Sequence, residues 1–213
     1  MRYKAILFDM DGTLLDTLTD MASAVNHILS VHGWPLRTTE EVRTFVGNGA
    51  RRLMERAVPT EVAGGAFEAV LAEYRDWYQA HNCVDTAPYP GIPALPAALA
   101  EAGIKTAVVS NKPDATTKTL AARFFPGLPA FGQRDDVPPK PAPDLVFRAL
   151  ETLGVDAADA AYVGDSEVDV ATARNARLPL AAVSWGFRGR QALAEAGADT
   201  IADTAEELLR VLL

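Results

Sequence analysis

A single cysteine, Cys83, among 213 residues leaves no intrachain disulfide and no metal centre built on several thiolates. Histidine is almost as scarce. The three that occur, His27, His32 and His81, share no ligand-like spacing and read as ordinary surface or core residues. No apolar run approaches the roughly 18 residues of a membrane span, and Asp9 breaks the opening MRYKAILFDMDG short of a signal-peptide core. A reducing cytoplasm is the expected setting. Positive charge is in short supply: 28 acidic residues face 20 basic ones, a formal net charge of -8. The basic face that nucleic acid or an anionic membrane would need is not expected. Any phosphate site must carry its own local positive charge. Lysine is the rarer cation, and none lies between residues 17 and 84.

What is present is a globular composition, 49% hydrophobic and 23% charged, with no low-complexity tract. Short apolar runs, YKAILF (3–8), IKTAVVS (104–110), AAYVG (160–164) and LPLAAVS (178–184), alternate with helical patterns such as 113–124, 143–153 and 190–196. That alternation predicts an α/β fold, a Rossmann-like parallel sheet buried between helices on both faces. The strand signal vanishes from about residue 17 to 84. There Phe67, Val70, Leu71, Tyr74, Trp77 and Tyr78 recur at helical spacing, and the stripe reads as the core of a helical insert. TAPYPGIPAL marks the return, with Pro93 or Pro96 near a helix start. The expected organisation is a discontinuous core, 1–16 and 85–213, interrupted by a small helical domain, 17–84.

Parallel sheets bind ligands beyond the carboxyl ends of their strands, and at those points the polar residues of this chain collect. Asp9 and Asp11 follow the first run, Ser110, Asn111 and Lys112 the second, Asp165 and Asp169 the third. Two unit charges 4 Å apart repel by roughly 4 kcal/mol at an effective dielectric of 20, so four converging acids require a counter-charge. Oxygen donors with room for water suit Mg2+. Gly12 permits a tight turn with N–H groups facing an anion, and Thr13 is expected to bond within that turn. Lys140, between prolines, is held on a stiff loop; Lys112 reads equally well as a solvated loop residue. Glu167 and Asp16 read as solvated or capping acids.

The segments DMDGTLLD, SNK (110–112), Lys140 in KPAPD and GDSEVD (164–169) resemble, in order, the four motifs of the haloacid dehalogenase superfamily of phosphotransferases. VGNGARRLMERA, PYPGI, SNKP, KPAPD and SWGFRG are similar to the phosphoglycolate phosphatase subgroup; Gln133 and Arg134 depart from it, in a stretch usually poorer in polar side chains. The resemblance implies a helical cap domain after the first motif, and a phosphatase with Asp9 as nucleophile forming an aspartyl-phosphate. It implies Asp11 as the acid and base, and Lys140 as the balance between Asp9 and phosphate. Mg2+ would be held by the Asp9 carboxylate, the Asp11 main-chain carbonyl and Asp165, with Asp169 orienting that shell or binding through water. Ser110 and the Asn111 N–H would grip the phosphoryl oxygens, and Asn48 and Arg51 of the insert would meet the rest of the substrate. The expected partner is a small phosphorylated metabolite, on a monomer or homodimer.

Other chemistries fit less well. A dehalogenase has no use for Asp11, and a phosphonate hydrolase needs an insert lysine that is missing. A β-phosphoglucomutase-like mutase, or a broad sugar-phosphate and pyrophosphate phosphatase, shares the core motifs. A receiver-like phospho-acceptor module would have neither the insert nor Asp11.

Overall fold

Ala5–Phe8 are fully buried, as a strand must be when helices cover both faces of its sheet. They form β1 of a computed structural model that describes residues 3–213. Along the chain follow β2 (Leu15–Asp16), the helices α1 (Leu18–Val31), α2 (Thr39–Phe45), α3 (Gly49–Ala57) and α4 (Gly64–His81), then β3 (Ala87–Pro88) and α5 (Leu95–Glu101). The remainder alternates: β4 (Lys105–Pro113), α6 (Asp114–Phe124), β5 (Ala130–Gln133), α7 (Asp144–Leu153), β6 (Ala160–Gly164), α8 (Glu167–Ala176), β7 (Leu180–Val183), α9 (Gly189–Glu195), β8 (Ile201–Ala202) and α10 (Ala205–Leu212).

The chain divides into two compact units, one ending at Asp16 and resuming at Pro88, the other Thr17–Ala87. In the first, six strands pair in the order β5-β4-β1-β6-β7-β8, all parallel. Helices cover both faces of this α/β sheet. On one face Ala5, Leu7, Val109 and Tyr162 pack against Leu145, Val146, Ala149 and Leu150 of α7. Phe8 is level with Val108 on one side and Val163 on the other, so the ends of β1, β4 and β6 meet at one sheet edge. β5 and β8 were not read from the sequence. They are the two outermost strands, of four and two residues, and Ala130, Phe131 and Gln133 of β5 are only half-buried, so neither makes the apolar run of a central strand. Gln133 is the last residue of β5.

In the helical unit, Phe67, Val70, Leu71, Tyr74 and Tyr78 of α4 are buried as its core. Trp77 is half-buried and stacks between the rings of His27 and His81, at 4.6 and 4.0 Å; His32 lies 2.7 Å from Glu73. Buried Asp20 of α1 accepts hydrogen bonds from the N–H groups of Val84, Asp85 and Thr86 and from the Thr86 hydroxyl. Four donors on one carboxylate pin the segment that leaves the unit to the helix that enters it.

Candidate active site

β1 delivers Asp9 to the sheet edge, where its N–H still bonds the Val163 carbonyl at 2.9 Å. The chain then turns at once: the N–H groups of Thr13, Leu14 and Leu15 converge on the Met10 carbonyl. Gly12 sits at φ +83°, and a Cβ there would lie 2.3 Å from Asp165 Oδ2. Its N–H is taken up by the Leu15 carbonyl at 2.9 Å, so its place in the site is steric rather than that of an anion donor. Thr13, expected to bond within the turn, instead donates its hydroxyl to Asp165 Oδ1 at 3.0 Å.

β6 ends one residue before Asp165, and the loop after β7 closes over that carboxylate. The Phe187 N–H donates to Asp165 Oδ2 at 2.8 Å, and a Cβ on Gly186 would come within 2.3 Å of the Asp165 Cβ. α8 begins with a capping box in which Ser166 and Asp169 bond reciprocally. Asp169 Oδ2 accepts from the Ser166 hydroxyl at 2.6 Å, and its Oδ1 from Lys140 Nζ at 2.8 Å. Both of its oxygens are thus engaged by the protein, an orienting arrangement.

Lys140 is buried. Its Nζ lies 2.8 Å from Asp169 Oδ1 and 2.9 Å from both the Tyr162 hydroxyl and Asp9 Oδ1. The Asn111 side chain brackets the lysine's backbone, accepting from its N–H at 2.7 Å and donating to its carbonyl at 3.0 Å. The Asn111 amide therefore holds the Lys140 loop. Ser110, buried beside it, accepts from the Lys112 N–H at 3.3 Å.

The solvated reading of Lys112 does not hold. β4 runs on through Pro113, which keeps Lys112 at the sheet edge, and its side chain is 2% exposed. Its Nζ grips Asp11 at 2.8 and 3.1 Å. Two lysines thus face four acids, leaving two negative charges in a buried cluster.

That imbalance appears in the acids themselves. Burial raises the Asp9 carboxyl to about 7 against the pull of Lys140, with Asp169 and Asp11 adding to the rise. Burial, then the charges of Asp169 and Asp9, lift Asp165 well above the carboxylate range despite the Phe187 N–H and the Thr13 hydroxyl. For Lys140 burial acts downward, and Asp169 and Asp9 overcome it to hold the ammonium well above its ordinary range. Asp9 Oδ1 is buried, and its partner is the Lys140 ammonium, an ion pair at 2.9 Å with no further hydrogen bond to that oxygen. Carboxylate oxygens of Asp9, Asp165 and Asp169 lie within 4.8 Å of one another, so clustered hard donors, with two more acids than lysines and two carboxyls that burial alone leaves poorly ionised, fit a divalent cation.

Asn48 and Arg51 belong to the helical unit. Arg51 forms a two-pronged pair with Glu68 at 2.8 and 2.7 Å, and Asn48 Oδ1 accepts from Arg56 at 3.1 Å. They are not among the residues that β1, β4 and β6 assemble. Glu167 is exposed and pairs with Arg188 at 2.9 Å, and Cys83 is half-buried and free of any disulfide. Sequence reasoning missed Tyr162, Ser166 and Gly186. Tyr162 is hidden inside an apolar run, whereas SEVD carries the spacing of a capping box.

Among the described residues no helix is long and apolar enough to cross a membrane. Residues 6–183 match the family model described as haloacid dehalogenase-like hydrolase. An N-acetylmuramic acid 6-phosphate phosphatase from Pseudomonas aeruginosa is 35% identical, covering 100% of this chain and 96% of that protein. A plasmid-borne phosphoglycolate phosphatase from Cupriavidus necator is also 35% identical, over 98% of this chain and 92% of its own length. A crystal structure from Lactobacillus delbrueckii subsp. bulgaricus, provisionally named a phosphoglycolate phosphatase, superposes with a TM-score of 0.94 at 37% identity, covering 100% of this chain and 99% of that one.

Proposed function

Because the chain belongs to the haloacid dehalogenase-like hydrolases, as a phosphatase, we propose that it hydrolyses a small phosphate monoester, phosphoglycolate first among them, with Mg2+ and through an aspartyl-phosphate on Asp9. The observation that carries this is the buried Asp9 carboxylate, with oxygens of Asp165 and Asp169 within 4.8 Å and the Lys140 ammonium at 2.9 Å. Such a carboxylate can offer one oxygen to a cation and the other to phosphorus while its charge is balanced.

Asp9 attacks phosphorus, the ester P–O bond breaks, and Asp11 gives its proton to the departing alkoxide oxygen. Water then attacks the aspartyl-phosphate, Asp11 takes its proton, and phosphate leaves with Asp9 restored. In the structure Asp11 lies against Lys112, so its carboxyl must turn from that ammonium to reach the ester oxygen. Asp9, the Asp11 main-chain carbonyl and Asp165 would hold Mg2+, with Asp169 orienting them, and the ion would supply charge for the phosphoryl oxygens. Ser110 and the Asn111 main-chain N–H would bind those oxygens, and Lys140 offsets their charge. The helical unit would act as a cap that admits substrate and excludes bulk water, with Asn48 and Arg51 toward the substrate's tail. A reducing cytoplasm suits a chain whose one cysteine can form no intrachain disulfide.

The C. necator relative's name favours phosphoglycolate; the P. aeruginosa relative's name makes a sugar 6-phosphate the second reading. The test is phosphate release with Mg2+ from phosphoglycolate, N-acetylmuramic acid 6-phosphate, glucose phosphates, nucleotides and pyrophosphate, with Asp9→Asn as the blank. Steep preference for phosphoglycolate supports the first reading, and preference for the sugar ester supports the second. Full activity in Asp9→Asn would sink the nucleophile assignment.

A further inference from the structure

Asp11 has two engagements that it cannot keep at once. Lys112 Nζ holds both of its carboxylate oxygens, at 2.8 and 3.1 Å, yet the carboxyl must leave that ammonium to reach the ester oxygen. The ammonium it leaves is a buried one. The Lys112 side chain is 2% exposed and that of Asp11 13%, so the acid is the more open partner of the pair. A buried cation stripped of its carboxylate is strongly destabilised unless another anion takes the place. The neighbouring acids are engaged elsewhere: Asp169 accepts from Ser166 and Lys140, and Asp165 from Thr13 and Phe187. Lys112 also stands on one particular side of the reaction. Lys140 is the ammonium beside Asp9, where phosphorus is attacked, whereas Lys112 is the ammonium beside Asp11, which serves the leaving group. An anion that replaces Asp11 on Lys112 therefore belongs to the departing half of the ester.

We propose that Lys112 determines specificity: it exchanges the Asp11 carboxylate for a carboxylate on the leaving group, and so favours phosphate esters of 2-hydroxy acids. In such an ester the carboxylate carbon stands two bonds from the ester oxygen. The oxygen that Asp11 approaches and the anion that Lys112 takes are thus close neighbours. The exchange keeps the buried ammonium beside a carboxylate throughout, and it releases Asp11 when the right substrate is in place. A neutral leaving group offers Lys112 nothing in return, and Asp11 then stays where it is held. The inference rests on the phosphatase reading above and names the determinant within it.

The test compares phosphoglycolate with 2-hydroxyethyl phosphate, in which CH2OH replaces the carboxylate, in wild type and in Lys112→Gln with Mg2+ present. The quantity read is the ratio of the two kcat/KM values within each protein, so a misfolded fraction cancels. Wild type is expected to favour phosphoglycolate by at least about tenfold, and Lys112→Gln to cut that ratio by at least about tenfold. A smaller preference, or a smaller cut, overturns the proposal. A lysine that merely braced the fold would change both esters alike and leave the ratio where it was. An equal loss on both esters also overturns it, and would place Lys112 on the phosphoryl group instead. The wild-type ratio stands as a test by itself should the variant not fold. Release from p-nitrophenyl phosphate separates this inference from the reading beneath it. Wild type that hydrolyses that ester but neither alkyl ester overturns the inference alone; wild type that hydrolyses none of the three removes the phosphatase reading as well.

Discussion

Asp9 and Asp165 are carboxylates held where charge is unwelcome, and pH should reveal it. Asp9 rises from 3.8 to about 7 on folding in the metal-free state, so between those values the folded protein binds a proton that the unfolded chain has released. Its contribution to stability is present below about pH 4 and is lost as pH rises toward 7. Asp9→Asn removes that group. The stability gap favouring the metal-free variant should therefore widen from pH 4 to 7 and level off above, measured by urea unfolding of both proteins. Mg2+ should reverse the gap by stabilising wild type more. Gly186 makes a second prediction at this scale. Its hydrogen faces Asp165 where a methyl would overlap the Cβ at 2.3 Å, so Gly186→Ala should displace that carboxylate. Calorimetric titration should show Mg2+ affinity falling by about tenfold or more, as when a ligand's support is lost.

Elements act by bringing these groups to one edge. β1, β4 and β6 are in level register, and two side-chain clamps extend that order into the loops: Asn111 on the Lys140 backbone and Asp20 on residues 84–86. The Asp20 clamp lies within the helical unit and gathers four donors on one carboxylate. Asp20→Ala should cost about 2 kcal/mol, since the buried Thr86 N–H and hydroxyl lose a charged acceptor while water can reach Val84 and Asp85. Chemical unfolding gives the loss, and hydrogen exchange should quicken at Val84, Asp85 and Thr86 first. Asn111 illustrates how an element changes a residue's meaning. Its place in SNK marks a phosphate loop, yet its amide is engaged by a loop 29 residues away in the chain.

Charge is the property of the whole molecule that bears on the reaction. A net charge of -8 repels a dianionic ester at long range, while Lys112 and Lys140 are buried and already paired. Raising ionic strength from about 20 to 150 mM shortens the Debye length from roughly 20 to 8 Å. We expect kcat/KM for a dianionic substrate to rise about twofold over that range at fixed free Mg2+. A fall would mean that local positive charge governs encounter instead.

The order of apolar runs and the acids that follow them were enough to place β1, β4, β6 and β7, the parallel sheet and the edge where Asp9, Asp11, Asp165 and Asp169 gather, because buried central strands and strand-end loops obey local rules; Lys140 was legible only through the family motif that carries it. β5 and β8 escaped because edge strands are short and half-wet. Partner choice was not local. Whether Lys112 met solvent or Asp11, whether Thr13 bonded its own turn or Asp165, and why Tyr162 stands in an apolar strand were decided by contacts between residues 101, 152 and 22 positions apart. Periodicity records which face a side chain takes. Only the packed sheet brings to that face the charge it must answer.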